Sequence, residues 1–328
     1  MSTPVLQVEN LHIHYHTLAS RVKAVNGVSF DLDKGERLGL VGESGSGKST
    51  TALAIIRMLE GPARIIDGSI TLSGTNLLAL SDDDMRAVRF DRVSMVPQGA
   101  MNSLNPVMRI REQIRDIFEA HGQMPRRGEI EPKIAALLAR VDLKPEVAGM
   151  YPHELSGGMK QRVCIAMAIA LQPQVILADE PTSALDVVVQ RQVMETLGDV
   201  QRELGAAVIL VGHDMGLMAQ FVDRIGVMYA GRLVELASAT QIFKAPQHPY
   251  TQQLIGSIPN LDQKKLFKGI PGAAPSLLDP PSGCPFHPRC SEAFGPCTVD
   301  VPPLHETEPE RWVACHLYEE VVSHDHSA

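Results

Sequence analysis

Apolar and polar residues alternate with a period of two in residues 5–16 and again in residues 25–33. Such alternation predicts half-buried β-strands. Three short runs further along are continuously apolar: RLGLV at 37–41, VILA at 175–178 and AVILV at 207–211. Runs of this kind are typical of parallel strands that are covered on both faces of a sheet. The pattern therefore predicts an α/β fold with a parallel central sheet.

Helical segments separate these runs, as βαβ units require. Residues Thr51–Leu59 form an apolar segment, and apolar residues recur every three to four positions in 110–120 and 134–141. These patterns predict three helices. Two more segments, 65–73 and 93–96, are predicted as strands.

Composition and charge narrow the class of protein. The 328 residues are 44% hydrophobic and 21% charged, which suits a globular protein of two domains, or of one domain with an appendage. No apolar run approaches the roughly 18 residues of a membrane span, and the N-terminus does not resemble a signal peptide. We therefore expect a cytoplasmic chain. A net charge of −8 without a long basic cluster argues against nucleic acid as the main partner.

A glycine-rich loop, GESGSGKS, lies between the run at 37–41 and the apolar segment after it, and fits the pattern G-x4-G-K-[ST]. Glycines let backbone N–H groups point towards phosphate oxygens, and the following helix adds its positive end. Lys48 would reach the β and γ phosphates, and the Ser49 hydroxyl would bind Mg²⁺. The residues predicted to bind nucleotide here are Gly42, Glu43, Ser44, Gly45, Ser46, Gly47, Lys48, Ser49 and Thr50.

Two carboxylates, Asp179 and Glu180, end the apolar run at 175–178. Adjacent residues on a strand point to opposite faces, so the two should serve different purposes. We expect one to hold Mg²⁺ through its water shell and the other to polarise the attacking water.

A second glycine turn, LSGGM at 155–159, opens onto an apolar helix and offers donors to an anion. One nucleotide site does not need two such loops, so the second is either structural or serves a different nucleotide. Here the sequence resembles the ATP-binding cassette (ABC) subunits of transporters, whose signature reads LSGGQ. Met159 departs from that signature, but Ser156, Gly157 and Gly158, which present donors to phosphate, are retained.

The resemblance continues in order from residue 5 to about 240, and it implies roles for single residues. The further matched residues are Tyr15, Gln98, Asp179, Glu180, Ser183, Asp186 and His213. By resemblance, Tyr15 stacks on adenine, and Gln98 contacts Mg²⁺ together with Ser49 and Asp179. Glu180 is the catalytic carboxylate and His213 the second catalytic residue, which contacts the γ-phosphate. Ser183 and Asp186 belong to the D-loop.

The resemblance also implies an architecture of a RecA-like core, an antiparallel β subdomain and a helical subdomain. It divides the chain into 1–99 (β subdomain and first part of the core), 100–165 (helical subdomain with the signature), 166–245 (second part of the core) and 246–328 (extension). Two cassettes would face each other head to tail, each ATP lying between one phosphate loop and the other signature. The helical segment would carry a groove for a short helix of a membrane-spanning partner.

The segment after residue 245 has a different composition, because residues 271–309 contain ten prolines. Such a stretch does not form regular helix or inner strand. The four cysteines Cys284, Cys290, Cys297 and Cys315 are spaced C-x5-C-x6-C-x17-C. Four thiolates can hold a [4Fe–4S] cluster or Zn²⁺. The spacing fits a zinc ribbon poorly, and free thiols remain a third alternative.

The sequences QHPYT at 247–251 and GCPFHPRC at 283–290 resemble the C-terminal extension of oligopeptide and dipeptide transporter ATPases. That resemblance favours [4Fe–4S] over zinc. It implies an ATP-hydrolysing subunit, a translocase, of a peptide importer, lying peripherally on the cytoplasmic face of the membrane. The implied partners are a second, related ATPase, two permease subunits and, indirectly, a solute-binding protein.

Three other functions remain open from the sequence. The same ATPase role could serve an oligosaccharide or nickel importer. A soluble ABC ATPase acting on DNA or ribosomes would usually carry two cassettes or an inserted coiled coil, and this chain has neither pattern. An iron–sulfur sensor that binds ATP would tolerate loss of Glu180 but not of the four cysteines.

Overall fold

Two β-sheets organise the chain in the computed structural model, which describes residues 3–16, 20–99, 103–258 and 269–319. The strands are β1 (Leu6–His16), β2 (Arg21–Leu32), β3 (Arg37–Val41), β4 (Ala63–Leu72), β5 (Thr75–Asn76), β6 (Val93–Val96), β7 (Val175–Asp179), β8 (Ala207–Gly212), β9 (Arg224–Tyr229), β10 (Arg232–Ser238), β11 (His305–Glu308) and β12 (Arg311–Val313). The α-helices are α1 (Lys48–Ile55), α2 (Asp82–Val88), α3 (Ile110–Ala120), α4 (Ile130–Ala139), α5 (Gly157–Ala168), α6 (Val187–Leu204), α7 (Met215–Phe221), α8 (Ala239–Lys244) and α9 (Pro249–Gly256).

The smaller sheet is antiparallel and has the strand order β2-β1-β4-β5. The alternation in β1 buries Leu6, Leu11 and Ile13 completely. The strand predicted at 5–16 is confirmed, whereas β2 starts at Arg21, four residues before the predicted segment. It starts there because Arg21 pairs with His16 of β1. A strand's end is set by its neighbour as well as by its own pattern.

The larger sheet has the order β11-β12-β10-β9-β3-β8-β7-β6. Strands β9, β3, β8, β7 and β6 are parallel neighbours. The apolar runs predicted as central strands form β3, β7 and β8, which lie between two hydrophobic clusters. The carboxyl ends of parallel strands share one edge of the sheet, and ligands of open α/β sheets bind at that edge.

The helix prediction is confirmed at its full length for α3, while two other helices differ at their ends. Helix α1 begins at Lys48, before the predicted Thr51, because the glycine loop delivers the chain directly into a helical turn of polar residues. It ends early, since Arg57 has a left-handed φ of 51°. Helix α4 starts at Ile130 with Pro132 in its first turn, where a missing N–H costs nothing.

The proline-rich tail joins the large sheet instead of forming a separate layer. Strand β12 pairs with β10 through Glu235 opposite Val313 and Leu236 opposite Trp312. Strand β11 is the outermost strand, in agreement with the prediction that residues 271–309 make no inner strand. Backbone pairing with β10 thus orders the tail, in addition to any order that the cysteines supply. Within the described ranges, no helix has the length and apolarity to cross a bilayer.

Candidate nucleotide-binding site

The loop between β3 and α1 can be built only with glycine at two of its positions. Gly42 has φ of 149°, and a Cβ there would lie 2.1 Å from the carbonyl oxygen of Met228. Gly47 has φ of 101°, and its Cβ would lie 2.4 Å from the carbonyl oxygen of Ala24. Strands β9 and β2 therefore pack against one side of the loop, and a ligand can bind only on the opposite side.

Lys48 occupies the centre of this loop. Its Nζ donates to the carbonyl oxygens of Gly42 and Glu43, each at 2.9 Å, and to Ser46 Oγ at 3.3 Å. Burial lowers the pKa of Lys48, and the carboxylates of Glu180, Asp179 and Glu43 oppose that shift. A buried ammonium whose hydrogen-bond acceptors are all neutral can exchange them for phosphate oxygens, which are charged and bind it more strongly.

Ser49 and Asp179 are in direct contact. Ser49 Oγ donates to Asp179 Oδ1 at 2.9 Å. Burial raises the pKa of Asp179, while the hydrogen bond from Ser49 acts in the opposite direction. A hydroxyl beside a carboxylate supplies the hard oxygen ligands that Mg²⁺ prefers, so these two residues fit the predicted metal position. Gln98, the third residue predicted to contact Mg²⁺, instead donates through Nε2 to Glu180 Oε2 at 2.8 Å.

Glu180 lies just beyond β7 and joins residues that follow two other strands. Its φ of 42° is left-handed, so the backbone turns the side chain away from the direction that strand alternation would give. Gln98 follows β6, and His213 follows β8, where its Nδ1 lies 3.0 Å from Glu180 Oε1. The side chain of His213 is 72% exposed, and that of Glu180 is 21% exposed. Asp179 and Glu180 thus have different partners; that they serve different purposes stays a prediction.

This cluster can activate a water molecule. A carboxylate held by one amide and one imidazole is oriented, partly open to solvent and able to accept a proton. Tyr15 lies on the other side of the loop, with its hydroxyl 3.5 Å from Thr50 Oγ1. That position places the ring beside α1; its stacking on adenine stays a prediction.

The signature turn lies on the surface. Ser156 is exposed, and its Oγ accepts a hydrogen bond from the backbone N–H of Met159 at 3.3 Å. Gly158 is buried against α6, where a Cβ would lie 2.4 Å from Val189 Cγ1. Gly157 is the first residue of α5. The turn is therefore open to a neighbouring molecule.

The predicted D-loop residues lie between Glu180 and α6. The backbone N–H of Ser183 donates to the Glu180 carbonyl oxygen at 3.0 Å. Asp186 caps α6 by accepting from the N–H groups of Val188 and Val189. Val187 and Val188 are 80% and 68% exposed. Two large apolar side chains are therefore open to solvent at the start of α6. They precede Val189, the residue that packs against Gly158 of the signature.

The four cysteines of the tail line one small cavity together with Phe286. Burial raises the pKa of Cys284, Cys290 and Cys315, the last to about 11, and the nearby thiols add to the shift. Across the residues that the structure describes, no group of three or more His, Cys, Asp or Glu side chains is placed to hold a metal ion. The predicted metal site is therefore not confirmed, although the donors are of the soft type that iron and zinc accept.

Sequence reasoning missed two residues of the tail that touch the phosphate loop, Tyr250 and Arg289. Both lie inside sequences that were recognised, HPY and HPRC, but their contacts depend on the folding of distant segments. No pattern in the sequence relates them to Glu43.

The structure combines the phosphate loop, the Ser49–Asp179 pair, the Glu180 cluster and the signature turn. This arrangement defines a P-loop ATPase of the ATP-binding cassette class. A profile for the family described as "ABC transporter" matches residues 25–183. A second profile, "Oligopeptide/dipeptide transporter, C-terminal region", matches residues 234–297. The chain belongs to the ABC transporter family of ATP-binding subunits, which confirms the resemblance and the fold class predicted from the motifs.

Relatives match over nearly the whole chain. The dipeptide transport ATP-binding protein DppD of Caldanaerobacter subterraneus subsp. tengcongensis is 44% identical over 319 residues, covering 96% of this chain and 98% of the relative. The oligopeptide transport ATP-binding protein OppD of Escherichia coli (strain K12) is 42% identical, covering 95% and 92%. The ATP-binding cassette MJ0796, solved as a dimer bound to ADP and phosphate, superposes with a TM-score of 0.64 at 28% identity, covering 71% of this chain and 98% of that one.

Proposed function

We propose that this chain is the subunit of an ABC peptide importer that binds and hydrolyses ATP to drive transport. It is thus the ATPase of a translocase. Family membership implies ATP hydrolysis coupled to transport. The observation that carries the proposal is the meeting of Gln98, Glu180 and His213 beside the Ser49–Asp179 pair. The peptide substrate rests on the C-terminal region and on the names of the relatives. Nickel and oligosaccharide import are the alternatives.

In this proposal, the loop amides and Lys48 bind the phosphates, while Ser49 and Asp179 hold Mg²⁺. Mg²⁺ held there would neutralise charge on the phosphate oxygens. Glu180 accepts a proton from the attacking water, and His213, whose side chain is exposed, contacts the γ-phosphate. Gln98, which donates to Glu180 in this structure, would supply a further oxygen ligand to Mg²⁺ by exchanging that contact.

A second cassette completes the site. In the turn formed by Ser156, Gly157, Gly158 and Met159, Ser156 is exposed, and so is the apolar start of α6. Both suit a head-to-tail pairing in which this signature contacts ATP on a related but distinct ATPase subunit. ATP then binds the paired cassettes more tightly than the separated cassettes, and hydrolysis of ATP removes that difference in affinity.

We propose that the chain binds permease subunits and lies peripherally on the cytoplasmic face of the membrane. An apolar groove on its surface supports this proposal. We call it the permease groove; its lining includes Met58, Phe90, Met95, Pro97, Leu104 and Met167. It runs between the core and the helical segment proposed at 100–165. Met58 is 50% exposed, so part of its apolar side chain is available to a docking partner. A short amphipathic helix of a membrane-spanning subunit would fill it.

Transport can be tested with the variant Met58→Glu in a strain that lacks this chain. The wild-type chain should restore uptake of radiolabelled dipeptide, and the variant should lower uptake by on the order of tenfold or more, because a charge in an apolar groove opposes docking. ATP binding by the purified variant should be unchanged. Uptake of nickel and of an oligosaccharide is measured in parallel. Uptake of either one that depends on this chain, in place of dipeptide uptake, would support the corresponding alternative. Full uptake without this chain, and no association with membranes, would instead indicate a soluble ABC ATPase.

We propose further that the four thiolates of the tail hold a [4Fe–4S] cluster that orders the segment. The single small cavity that the four side chains line supports this proposal. Metal ligation deprotonates the thiols and supplies order to a segment with little apolar core.

Anaerobically purified chain should contain about four iron and four sulfide ions per molecule. The variant Cys290→Ser should lose most of them. Bound zinc in place of iron would support the zinc alternative, and a chain with neither metal would support free thiols. Cys164, which is buried in α5 with a pKa raised to about 12, is the matched control: Cys164→Ser should keep the iron.

A further inference from the structure

The tail reaches the phosphate loop through the side chain of Arg289. Its guanidinium makes a two-pronged ion pair with Glu43, Nη1 to Oε2 at 2.7 Å and Nη2 to Oε1 at 2.9 Å. Arg289 is only 6% exposed. It also donates through Nη1 to the Tyr229 hydroxyl at 3.1 Å and through Nε to the Pro271 carbonyl oxygen at 2.8 Å. Contacts on several sides fix the guanidinium in one position.

A second contact reaches the same residue of the loop. The hydroxyl of Tyr250 accepts a hydrogen bond from the backbone N–H of Glu43 at 2.9 Å. Tyr250 is fully buried, and its ring packs against those of Tyr229 and Phe286, with centroids 4.6 and 5.4 Å away. His248 caps α9 by accepting from the Tyr250 N–H at 3.0 Å. The HPY sequence thus forms a rigid support that ends in one hydroxyl.

Glu43 connects these contacts to the part of the loop that meets phosphate. Its carbonyl oxygen accepts from Lys48 Nζ at 2.9 Å and from the Ser46 N–H at 3.2 Å. The carboxylate, the N–H and the carbonyl of one residue are therefore all bonded. With both of its flanking peptide groups held, Glu43 has little freedom in φ and ψ, and the loop that follows keeps one conformation.

We propose that Arg289 and Tyr250 are positioning residues, which hold the phosphate loop through Glu43 in the conformation that receives ATP. Neither residue touches the ligand in this proposal. A loop that is already ordered loses less conformational entropy on binding, so its affinity for nucleotide is higher. The inference rests on the proposed function only in that the loop binds nucleotide; it requires neither hydrolysis nor transport nor a metal in the tail.

The test is a double-mutant cycle on ATP affinity, measured calorimetrically with the full chain. Arg289→Lys keeps the cation but loses the two-pronged pair, and Glu43→Gln keeps the length of the side chain. Each variant should raise the Kd for ATP roughly three- to tenfold. The double variant should bind about as well as the weaker single variant, because both changes remove the same interaction.

Tyr250→Phe removes the hydroxyl and keeps the ring, so it should raise the Kd without unfolding the segment. Arg140→Lys is the matched control: Arg140 pairs with Glu203 at 3.0 Å, away from the loop, and its replacement should leave the Kd unchanged. Where hydrolysis is measurable, KM for ATP should rise while kcat at saturating ATP changes less than about twofold. Circular dichroism checks that all variants are folded.

The proposal is overturned if folded Arg289→Lys and Tyr250→Phe bind ATP as the wild-type chain does, or if the losses in the cycle are additive. A chain that binds ATP with the expected coupling but neither hydrolyses it nor supports uptake would contradict the proposed function and leave this inference intact.

Discussion

Replacing Glu180 with glutamine is expected to lower ATP turnover by about 10²–10⁴-fold while leaving ATP binding in place. The amide has the shape of the carboxylate and can still contact Gln98 and His213, which lie 2.8 and 3.0 Å from its oxygens. It cannot accept a proton from water. The groups that would bind phosphate, Lys48 and the loop amides, are untouched.

Steady-state phosphate release at saturating ATP and an equilibrium Kd for ATP measure the two quantities separately. Glu195→Gln is a suitable control, because Glu195 is an exposed carboxylate on α6 whose partner is Arg191. The control should keep full turnover. Turnover at the wild-type rate in Glu180→Gln would show that another group activates water. Uptake that persists although Glu180→Gln no longer hydrolyses ATP would favour a sensor over an energising ATPase.

The sequence predicted those parts of the fold in which local pattern and tertiary pairing agree. Strand β6 and helix α3 have the predicted ends, since the apolar periodicity starts and stops where the elements do. The phosphate loop was recognisable because its glycines are required by backbone geometry that allows no other residue at Gly42 and Gly47. Periodicity failed where the first turn is polar, as in α1, or where a strand is too short to show a period, as in β12.

Contacts between distant segments account for what the sequence could not show. Family resemblance gave Gln98 a contact with Mg²⁺ and His213 a contact with the γ-phosphate, but only the fold shows that Gln98 contacts Glu180 instead of the Ser49–Asp179 pair. Glu43 and Arg289 are separated by 246 positions, and neither lies in a charge pattern that points to the other. Partly buried ion pairs of this type depend on how strands and loops pack, which local propensity does not determine.

A second large effect is expected at Glu235, the carboxylate that connects the core to the tail. Glu235 is fully buried on β10, and Arg311 of β12, 3% exposed, donates to its Oε1 at 3.0 Å. The backbone N–H groups of Gln247 and His248 also donate to this carboxylate, each at 2.9 Å. Glu235→Ala should lower the free energy of unfolding by about 3–5 kcal/mol, because it leaves a buried guanidinium and two backbone donors without their acceptor. Guanidinium chloride unfolding, followed by circular dichroism, measures the loss.

A double variant separates the cost of an unpaired charge from the value of the pair itself. In Glu235→Leu combined with Arg311→Met, no charge is left buried, so the chain should be more stable than Glu235→Ala alone. Glu308 does not substitute for Glu235, since it is half exposed and lies 3.5 Å from the other guanidinium nitrogen. A double variant that is as unstable as Glu235→Ala alone would mean that the pair itself stabilises the junction. In that case, the attachment of the tail to β10 would depend on electrostatic attraction more than on strand pairing and apolar contact.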